Sequence, residues 1–392
     1  MDRGKKQGWY RMKITLSAIK ADVGSIGGHT EPSEEMVNAV KQLLQENISS
    51  GLIIDGLVTY TGDDIAIIFS HEKGPGNEEI HIGFAWNAFL AATEIAKEQG
   101  NYGAGQDLLV DAPSGNVRGA GPGVAEIEFE LRPEDGHRPA ESFMIFAGDK
   151  CAPGAFNLPL YLTFSDPMHN GGLLLNPKIH QGFTFTIIDM DHKSEKEDRV
   201  IQLDVPERSW DIAALLQNPD RYAIESIHSR YRPQEQVVSV AATRLHNIAG
   251  KYTGKDDPIA IVRNQGIFPA PEEIIEPYAT VNQIISGDAR GSHNMPQMPV
   301  AINTAVAGAY CHPLITCIGF SMTEKGFFAS RFVDFFGNPV WDYARLLSQE
   351  RAAQLRRQGF FGVAMAQQAE IAYTGLTDTW KALNEEFQLR KG

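Results

Sequence analysis

The stretch ITLSAIKADVGSIGGH, residues 14–29, decides the fold class, because it contains an apolar strand that runs directly into a glycine-rich loop. A helix is expected to begin at Ser33 and to end at Gly51, since apolar side chains recur between them at helical spacing. Residues 52–60 and 65–70 then predict two strands on either side of a short turn. A strand, a helix and a pair of strands in this order indicate an α/β fold.

The rest of the chain continues this alternation. We expect a helix over residues 84–99, a half-buried strand over residues 124–131 and a helix near residues 209–217. Further expectations are strands near residues 143–147, 183–188, 223–228 and 259–262, loops at 132–141 and 191–199, and mostly helix at 340–387. No internal repeat or linker is evident, so we expect one large domain over residues 12–392. Residues 1–11 are expected to be a disordered tail or an overlong start.

Composition and charge exclude several classes of partner. The chain has 392 residues and a formal net charge of −14, which argues against nucleic acid and against an anionic membrane surface. Its three cysteines, Cys151, Cys311 and Cys317, are too few and too scattered for a disulfide framework and fit a reducing compartment. No apolar run is long enough for a transmembrane helix. We therefore expect a cytoplasmic protein with neither nucleic acid nor membrane partners.

Several oxygen-bearing side chains lie at predicted strand ends or in loops, where they could converge on a divalent ion. The aspartates include two adjacent pairs, and adjacent carboxylates repel each other unless a cation lies between them. The alternative is that each aspartate is a turn or cap residue, which is the commoner role of a single one. If they converge, several Mg²⁺ ions would suit phosphoryl chemistry. The candidate ligands are Asp22, His29, Asp63, Asp64, Gln106, Asp149, Asp256 and Asp257.

The motif GKYTGKDDP, residues 250–258, combines a lysine with a carboxylate pair. Lys255 could form an imine with a carbonyl substrate, but this reaction needs a neutral amine, and the neighbouring carboxylates favour the charged one. Metal ions on Asp256 and Asp257 would remove that obstacle. Tyr252 is then a candidate acid/base for carbon–carbon bond chemistry. The alternative is an ordinary ion pair between an exposed lysine and its neighbours.

Two further loops could bind phosphate groups. Residues 103–123 are rich in glycine and include Arg118, so their backbone amides could form an anion site, although a simple mobile loop is the alternative. Arg290 in the segment RGSH is a second candidate cation, and by itself it is a weak signal. Neither residues 103–123 nor residues 250–255 have the spacing of a Walker loop.

Together these motifs resemble the bifunctional fructose-1,6-bisphosphate aldolase/phosphatase family of archaea and deep-branching bacteria. The resemblance spans about residues 12–375. The matching segments, in order, are IKADVGS (19–25) with His29, GDD (62–64), AWNAF (85–89), AGQDLL (104–109), SGNVRGAGPGVAE (114–126), PGAFNLPL (153–160), IAGKYTGKDDP (248–258) and RGSH (290–293).

The resemblance implies a role for each matching residue. All eight candidate ligands given above match Mg²⁺ ligands of the family, and Asp22 also matches the acid/base of the phosphatase step. Lys255 matches the Schiff-base lysine, and Tyr252 matches the proton donor/acceptor of the aldolase step. The expected substrate contacts are His29, Tyr102, Gly115, Asn116, Lys150, Asn264, Gln265, Arg290 and Tyr373.

The resemblance also implies a fold, an assembly and a reaction. The fold would be a layered α-β-β-α sandwich and the assembly a homo-octamer. The reaction would join dihydroxyacetone phosphate to glyceraldehyde 3-phosphate through an imine on Lys255. Mg²⁺-dependent hydrolysis of the 1-phosphate would then give fructose 6-phosphate, so the expected enzyme belongs to gluconeogenesis.

Three segments depart from the family pattern. The loop at residues 132–142 is longer than usual, and the sequence RNQG at residues 263–266 replaces a more basic run. The segment after Pro299 lacks a charged stretch that carries a substrate-facing aspartate, since no aspartate occurs between Asp288 and Asp334. One alternative is therefore a Mg²⁺-dependent sugar bisphosphatase without aldolase activity. Another is a non-catalytic sugar-phosphate sensor, which would have no need of the lysine and tyrosine of the motif.

Overall fold

The computed structural model describes residues 13–108, 121–130, 140–192, 197–241, 256–285, 294–308, 312–328, 331–357 and 375–391. Within these residues the chain is mixed α/β, with several sheets, eight α-helices and no closed barrel. The predicted α/β class is confirmed. None of the described helices has the length and apolar character needed to span a bilayer.

The smaller sheet contains the N-terminal strands. Its four strands are β1 (Lys13–Asp22), β2 (Asp55–Thr61), β3 (Asp64–His71) and β4 (Gly123–Glu130). They lie in the order β2-β3-β1-β4, and every neighbouring pair is antiparallel. Each strand predicted in this region is therefore present, including the alternating strand β4.

Within the described residues, the larger sheet has ten strands. Its order is β13-β14-β5-β10-β9-β8-β6-β7-β16, with β15 paired to β14, and only β13 and β14 run parallel. The strands are β5 (Ala140–Asp149), β6 (Phe183–Asp189), β7 (Glu197–Asp204), β8 (Tyr222–Ser229), β9 (Gln236–Val240), β10 (Ile259–Asn264), β13 (Met298–Pro299), β14 (Leu314–Thr323), β15 (Val333–Asp334) and β16 (Gln388–Lys391). The short strands β11 (Ile284–Ile285) and β12 (Met295–Pro296) pair separately.

Helix α1 has the boundaries that its sequence predicts. The Ser33 side chain accepts a hydrogen bond from the Met36 N–H, and Gly51 ends the helix with a φ of 80°. A π-helical segment, Glu79–Trp86, leads into the second helix. The α-helices are α1 (Glu34–Ser50), α2 (Asn87–Glu98), α3 (Asn157–Ser165), α4 (Gly172–Leu175), α5 (Ser209–Leu216), α6 (Pro271–Thr280), α7 (Asp342–Arg357) and α8 (Leu376–Glu386).

Three large apolar clusters hold these elements together. The first packs α1 and α2 on one face of the smaller sheet, with Ile19, Ile67 and Phe89 fully buried in it. The second packs helices on one face of the larger sheet. The third, which we call the inter-sheet core, joins the opposite faces of the two sheets. It includes Ile14, Leu16, Ala18, Ala66, Ile68, Ala125, Ile127 and Phe129 from the smaller sheet and Phe143, Ile145, Ala147, Ile259, Ile261, Ile318 and Phe320 from the larger one.

The structure corrects the sequence prediction in several places. The predicted helix over residues 84–99 starts earlier, as the π-helical segment. The predicted loop over residues 191–199 contains the start of β7, whose first residues are charged and carry little strand signal. Strand β14 was not predicted, because almost all of its residues are buried and a continuous apolar run has no period of two. The predicted loop over residues 132–141 is wrong at its end, because residues 140–141 already belong to β5, and residues 132–139 lie outside the described residues.

Candidate metal centre

Strand geometry brings carboxylates from both sheets to one end of the inter-sheet core. Asp22 and Asp64 are directly opposite each other in the pairing of β1 with β3. Because side chains alternate along a strand, Asp64 lies on the same face as Ala66, and Asp149 lies on the same face as Ala147. Both alanines belong to the inter-sheet core, so these carboxylates lie between the two sheets, and all three are buried.

The turn between β2 and β3 adds a fourth carboxylate. Thr61 pairs with Asp64, which leaves Gly62 and Asp63 as a two-residue turn. Gly62 has a φ of 56°, and a Cβ at this position would lie 1.5 Å from Asp149 Oδ2. The Asp63 N–H donates to the same oxygen at 3.3 Å. Glycine is therefore required both for the backbone conformation and for the close approach of Asp149.

The ligand atoms form two groups that share Asp63. In each group the atoms lie within 4.8 Å of one another, and the groups are Asp22 with His29 and Asp63, and Asp63 with Asp64 and Asp149. His29 Nδ1 lies 3.0 Å from Asp63 Oδ2 and 3.9 Å from Asp22 Oδ2. A carboxylate shared by two groups suits two neighbouring ions, since the metals of two-metal sites lie about 3.5–4 Å apart.

Two lysines partly neutralise the carboxylates. The ammonium group of Lys150 bonds Asp63 and lies 3.0 Å from Asp149 Oδ1. Lys20 is almost fully buried, and its ammonium group bonds Asp64. Lys20 was not among the residues expected from the sequence, although a lysine two residues before Asp22 in an apolar strand must share the face of that aspartate. A buried lysine needs an acidic partner, so the position of Lys20 in the sequence could have predicted an ion pair with one of the aspartates.

The environment shifts the pKa of these carboxylates in opposite directions. Burial, followed by the charges of Asp63 and Asp64, raises the pKa of Asp22 well above its usual value. Burial likewise raises the pKa of Asp149, and Asp63 and Asp64 add to that effect. Burial would also raise the pKa of Asp63, but the Lys150 ammonium and His29 outweigh burial and lower it. The negative charge of the carboxylates is therefore larger than the positive charge of the side chains around them. A bound cation would lower the pKa of these carboxylates and favour their ionised form.

The residues present fit a hard divalent cation. Their donors are mostly carboxylate oxygens, the ligand type that Mg²⁺ prefers. Gln106 adds an amide oxygen, Oε1, which is buried and has no hydrogen-bond partner within the part of the chain that the structure describes. The segment carrying Gln106 is tied to the end of β1, because the Gly105 N–H donates to Val23 O at 3.0 Å.

Asp107 is a second residue that was not expected from the sequence. It is buried, and its Oδ2 accepts the Asp22 N–H at 2.9 Å while its Oδ1 accepts the Gly121 N–H at 3.1 Å. Its carboxylate therefore fixes the backbone of Asp22 and the end of the glycine-rich stretch. No separate signal points to this role, since Asp107 follows Gln106 in a loop where aspartate is common.

The second aspartate pair is attached to the segment that follows Asp149. Asp257 Oδ1 accepts the Cys151 N–H at 2.7 Å, and the Asp257 N–H donates to Cys151 O at 2.8 Å. Asp257 and Lys150 both have positive φ values, 53° and 57°, which are uncommon for residues other than glycine and cluster at functional sites. Among the described residues, the two ligand groups do not include Asp256 or Asp257.

The expected substrate contacts are only partly brought to this centre. The Tyr102 ring centroid lies 4.8 Å from that of His29, and Tyr102 pairs through its backbone with Ser25. Asn264 pairs with Ser142 at the other end of β5, seven residues from Asp149 and so roughly 20 Å away along the strand. Within this chain Asn264 and its neighbour Gln265 thus lie far from the carboxylates, and their role as substrate contacts stays a prediction. Gly115, Asn116, Tyr252, Lys255, Arg290 and Tyr373 lie outside the described residues.

Comparison with known proteins bears directly on this centre. A family model described as "Fructose-1,6-bisphosphatase" matches residues 13–388. The chain belongs to this family. The resemblance seen in the sequence motifs is thereby confirmed, and the match to the fructose-1,6-bisphosphatase family includes every described carboxylate of the centre.

Curated relatives cover nearly the whole chain. A protein of Thermus thermophilus is 49% identical over 376 residues, which are 96% of this chain and 100% of the relative. A protein of Cenarchaeum symbiosum is 44% identical over 92% of this chain and 91% of its own length. One of Ignicoccus hospitalis is 42% identical over 96% of this chain and 93% of its own length. Each of the three is named fructose-1,6-bisphosphate aldolase/phosphatase.

Proposed function

We propose that this chain is a bifunctional fructose-1,6-bisphosphate aldolase/phosphatase. The observation that carries the proposal is the buried cluster of Asp22, His29, Asp63, Asp64 and Asp149, assembled from both sheets in a chain of this family. The names of the curated relatives support both activities. A non-catalytic sensor is not favoured, because the names of these relatives denote enzymes.

In the aldolase step, the Lys255 amine adds to the carbonyl of dihydroxyacetone phosphate, and one water leaves as the imine forms. Tyr252 exchanges protons with the substrate while the new carbon–carbon bond forms to the aldehyde carbon of glyceraldehyde 3-phosphate. Hydrolysis of the imine takes up one water and releases fructose 1,6-bisphosphate. Both residues are assigned by the family motif at 250–258.

In the phosphatase step, water replaces the sugar oxygen at the phosphorus of the 1-phosphate, giving fructose 6-phosphate and inorganic phosphate. Asp22 is the proposed proton acceptor, the role that its match to the acid/base of the family implies. The Gly24 N–H donates to Asp22 Oδ1 at 3.1 Å and orients the carboxylate. The Lys150 ammonium is the proposed phosphate contact.

The proposal includes Mg²⁺ held by Asp22, His29, Asp63, Asp64, Gln106 and Asp149, with Asp256 and Asp257 as further ligands. When bound, Mg²⁺ would supply electrostatic stabilisation of the phosphoryl oxygens and a lowered pKa of the attacking water. The proposed substrate contacts are His29, Tyr102, Gly115, Asn116, Lys150, Arg290 and Tyr373.

We further propose a single domain over residues 12–392, built as a layered α-β-β-α sandwich. The two helix-to-sheet clusters and the inter-sheet core support this order of layers. We propose a homo-octamer in the cytoplasm. The resemblance supports the octamer, as do the exposed apolar side chains of Leu175, Trp210, Val340 and Tyr343, and the buried thiols of Cys151 and Cys317 fit a reducing compartment.

One set of assays tests the two activities separately. Triose phosphates with Mg²⁺ are expected to yield fructose 6-phosphate and inorganic phosphate. Borohydride should trap dihydroxyacetone phosphate covalently on the wild type and on Lys251→Met, a control in the same motif, but not on Lys255→Met. Phosphate release from fructose 1,6-bisphosphate without trapping would leave only a bisphosphatase. Absence of turnover in both assays would contradict the proposed function.

A further inference from the structure

Residues 301–306 form an irregular segment without charged side chains. At its start, the Ile302 N–H donates to Asp334 Oδ2 at 3.1 Å. The Gly337 N–H donates to the other oxygen of Asp334 at 2.9 Å, and Asp334 belongs to β15, which pairs with β14. The segment is therefore fixed at one end to the larger sheet.

The middle of the segment bonds the β2–β3 hairpin. The Asn303 N–H donates to Tyr60 O at 2.9 Å, and the Tyr60 N–H donates to Asn303 Oδ1 at 2.9 Å. The Gly62 N–H donates to Thr304 O, also at 2.9 Å. These bonds lie on both sides of Thr61 and fix the turn from which Asp63 projects.

The end of the segment bonds the loop that carries His29. The Val306 N–H donates to Thr30 O at 3.0 Å, one residue after His29. The Val306 side chain also lies against the turn, because a Cβ on Gly62 would be 2.9 Å from Val306 Cγ2. The same six residues thus fix the backbones on both sides of the 3.0 Å contact between His29 Nδ1 and Asp63 Oδ2.

We propose that residues 301–306 are a positioning segment, which holds Asp63 and His29 close enough to bind one ion, and that Asn303 is its central residue. The inference rests on the proposed function, since it concerns the same carboxylates. Asn303 has a φ of 58°, in the left-handed region that asparagine, aspartate and glycine tolerate best. Asn303 therefore contributes in two ways, through the hydrogen bond that its side-chain oxygen accepts and through its left-handed backbone conformation.

Two substitutions separate these contributions. Asn303→Gly keeps the backbone conformation accessible and removes only the side-chain acceptor, whereas Asn303→Asp keeps both. For Asn303→Gly we expect the half-saturating Mg²⁺ concentration of the phosphatase, and the Kd of Mn²⁺ from calorimetry, to rise about three- to tenfold. For Asn303→Asp both values should stay within about twofold of wild type. The kcat at saturating Mg²⁺ should change less than the half-saturating concentration.

Asn170→Ala is the matched control. Asn170 is buried and also bonds backbone through its side chain, to Thr163 O at 2.6 Å and from the Gly172 N–H at 2.9 Å, but its partners lie among the helices. This variant should lower Tm without changing the Kd of Mn²⁺. Wild-type Mn²⁺ affinity in Asn303→Gly would overturn the positioning role and leave the enzyme assignment intact. Weakened Mn²⁺ binding in a protein whose wild type has no turnover would keep the positioning role and reject the proposed function.

Discussion

Gly62 shows how much of the candidate centre depends on single backbone positions. Its positive φ allows the two-residue turn, and its missing side chain leaves room for Asp149 Oδ2. The turn was predictable from the sequence, because glycine precedes the aspartate pair. The approach of Asp149 was not, because Asp149 lies 87 residues later and comes from the other sheet.

Substitution of Gly62 by alanine is expected to abolish Mn²⁺ binding at this centre, because the new Cβ would overlap the Asp149 carboxylate. Gly100→Ala is the control, since Gly100 has a φ of 70° and a Cβ added there would meet nothing within 4 Å. Both variants should lose about 1 kcal/mol or more of stability from backbone strain. Only Gly62→Ala should lose the calorimetric signal of metal binding, and retained binding would show that Asp149 moves aside freely.

At the scale of elements, a buried polar network ties β1, β3, β4 and the π-helical segment together. The Lys73 N–H donates to His71 Nδ1 at 3.2 Å, so the Nε2 atom of His71 carries the proton and can donate to Ser17 Oγ at 2.9 Å. Ser17 donates to Glu126 Oε1 at 2.6 Å, and His81 Nε2 lies 3.0 Å from the same oxygen. This network needs a neutral His71.

We expect this network to make stability depend on pH. Burial lowers the pKa of His71 to about 4, against the Glu126 charge that acts in the opposite direction. As pH falls, His71 is therefore protonated at a higher pH in the unfolded chain than in the folded one. The free energy of unfolding should decrease as pH drops from about 6.5 through about 4, by at most about 3 kcal/mol. In denaturant titrations at several pH values, His71→Gln should reduce the change in the free energy of unfolding over this pH range. His180→Gln, a control at an exposed histidine, should leave that change as in the wild type. Equal slopes for all three proteins would contradict the assignment.

At the scale of the whole molecule, the sequence predicted most elements and much of the candidate ligand set. Helix α1, strands β1 to β4 and the turn at Asp63 followed from local periodicity and turn residues. The face-to-face packing of the two sheets could not be predicted, because it depends on the inter-sheet core, whose residues are far apart in the chain. For the same reason, the sequence did not show that β10 places Asn264 far from the carboxylates of its own chain.

Divalent ions are expected to stabilise the folded protein, because the unfolded chain does not assemble the carboxylates. With Mg²⁺ at about ten times its Kd, Tm should rise by about 2 °C relative to EDTA, since this excess corresponds to about 1.4 kcal/mol. Asp63→Asn should remove most of the shift, because Asp63 belongs to both ligand groups. A full shift in that variant, measured by calorimetry, would place the stabilising ion elsewhere.

The position of the carboxylates between two sheets has a consequence for ion selectivity. Asp22 and Asp64 belong to one sheet, Asp63 to a turn between two of its strands, and Asp149 to the other sheet. The distance from Asp149 to the other carboxylates therefore depends on how far the apolar side chains of the inter-sheet core separate the two sheets. Mg²⁺ needs oxygens at about 2.0–2.1 Å, whereas Ca²⁺ accepts about 2.3–2.6 Å. We therefore expect apolar side chains of this core, such as Ile127 and Ile261, to contribute to the choice between the two ions.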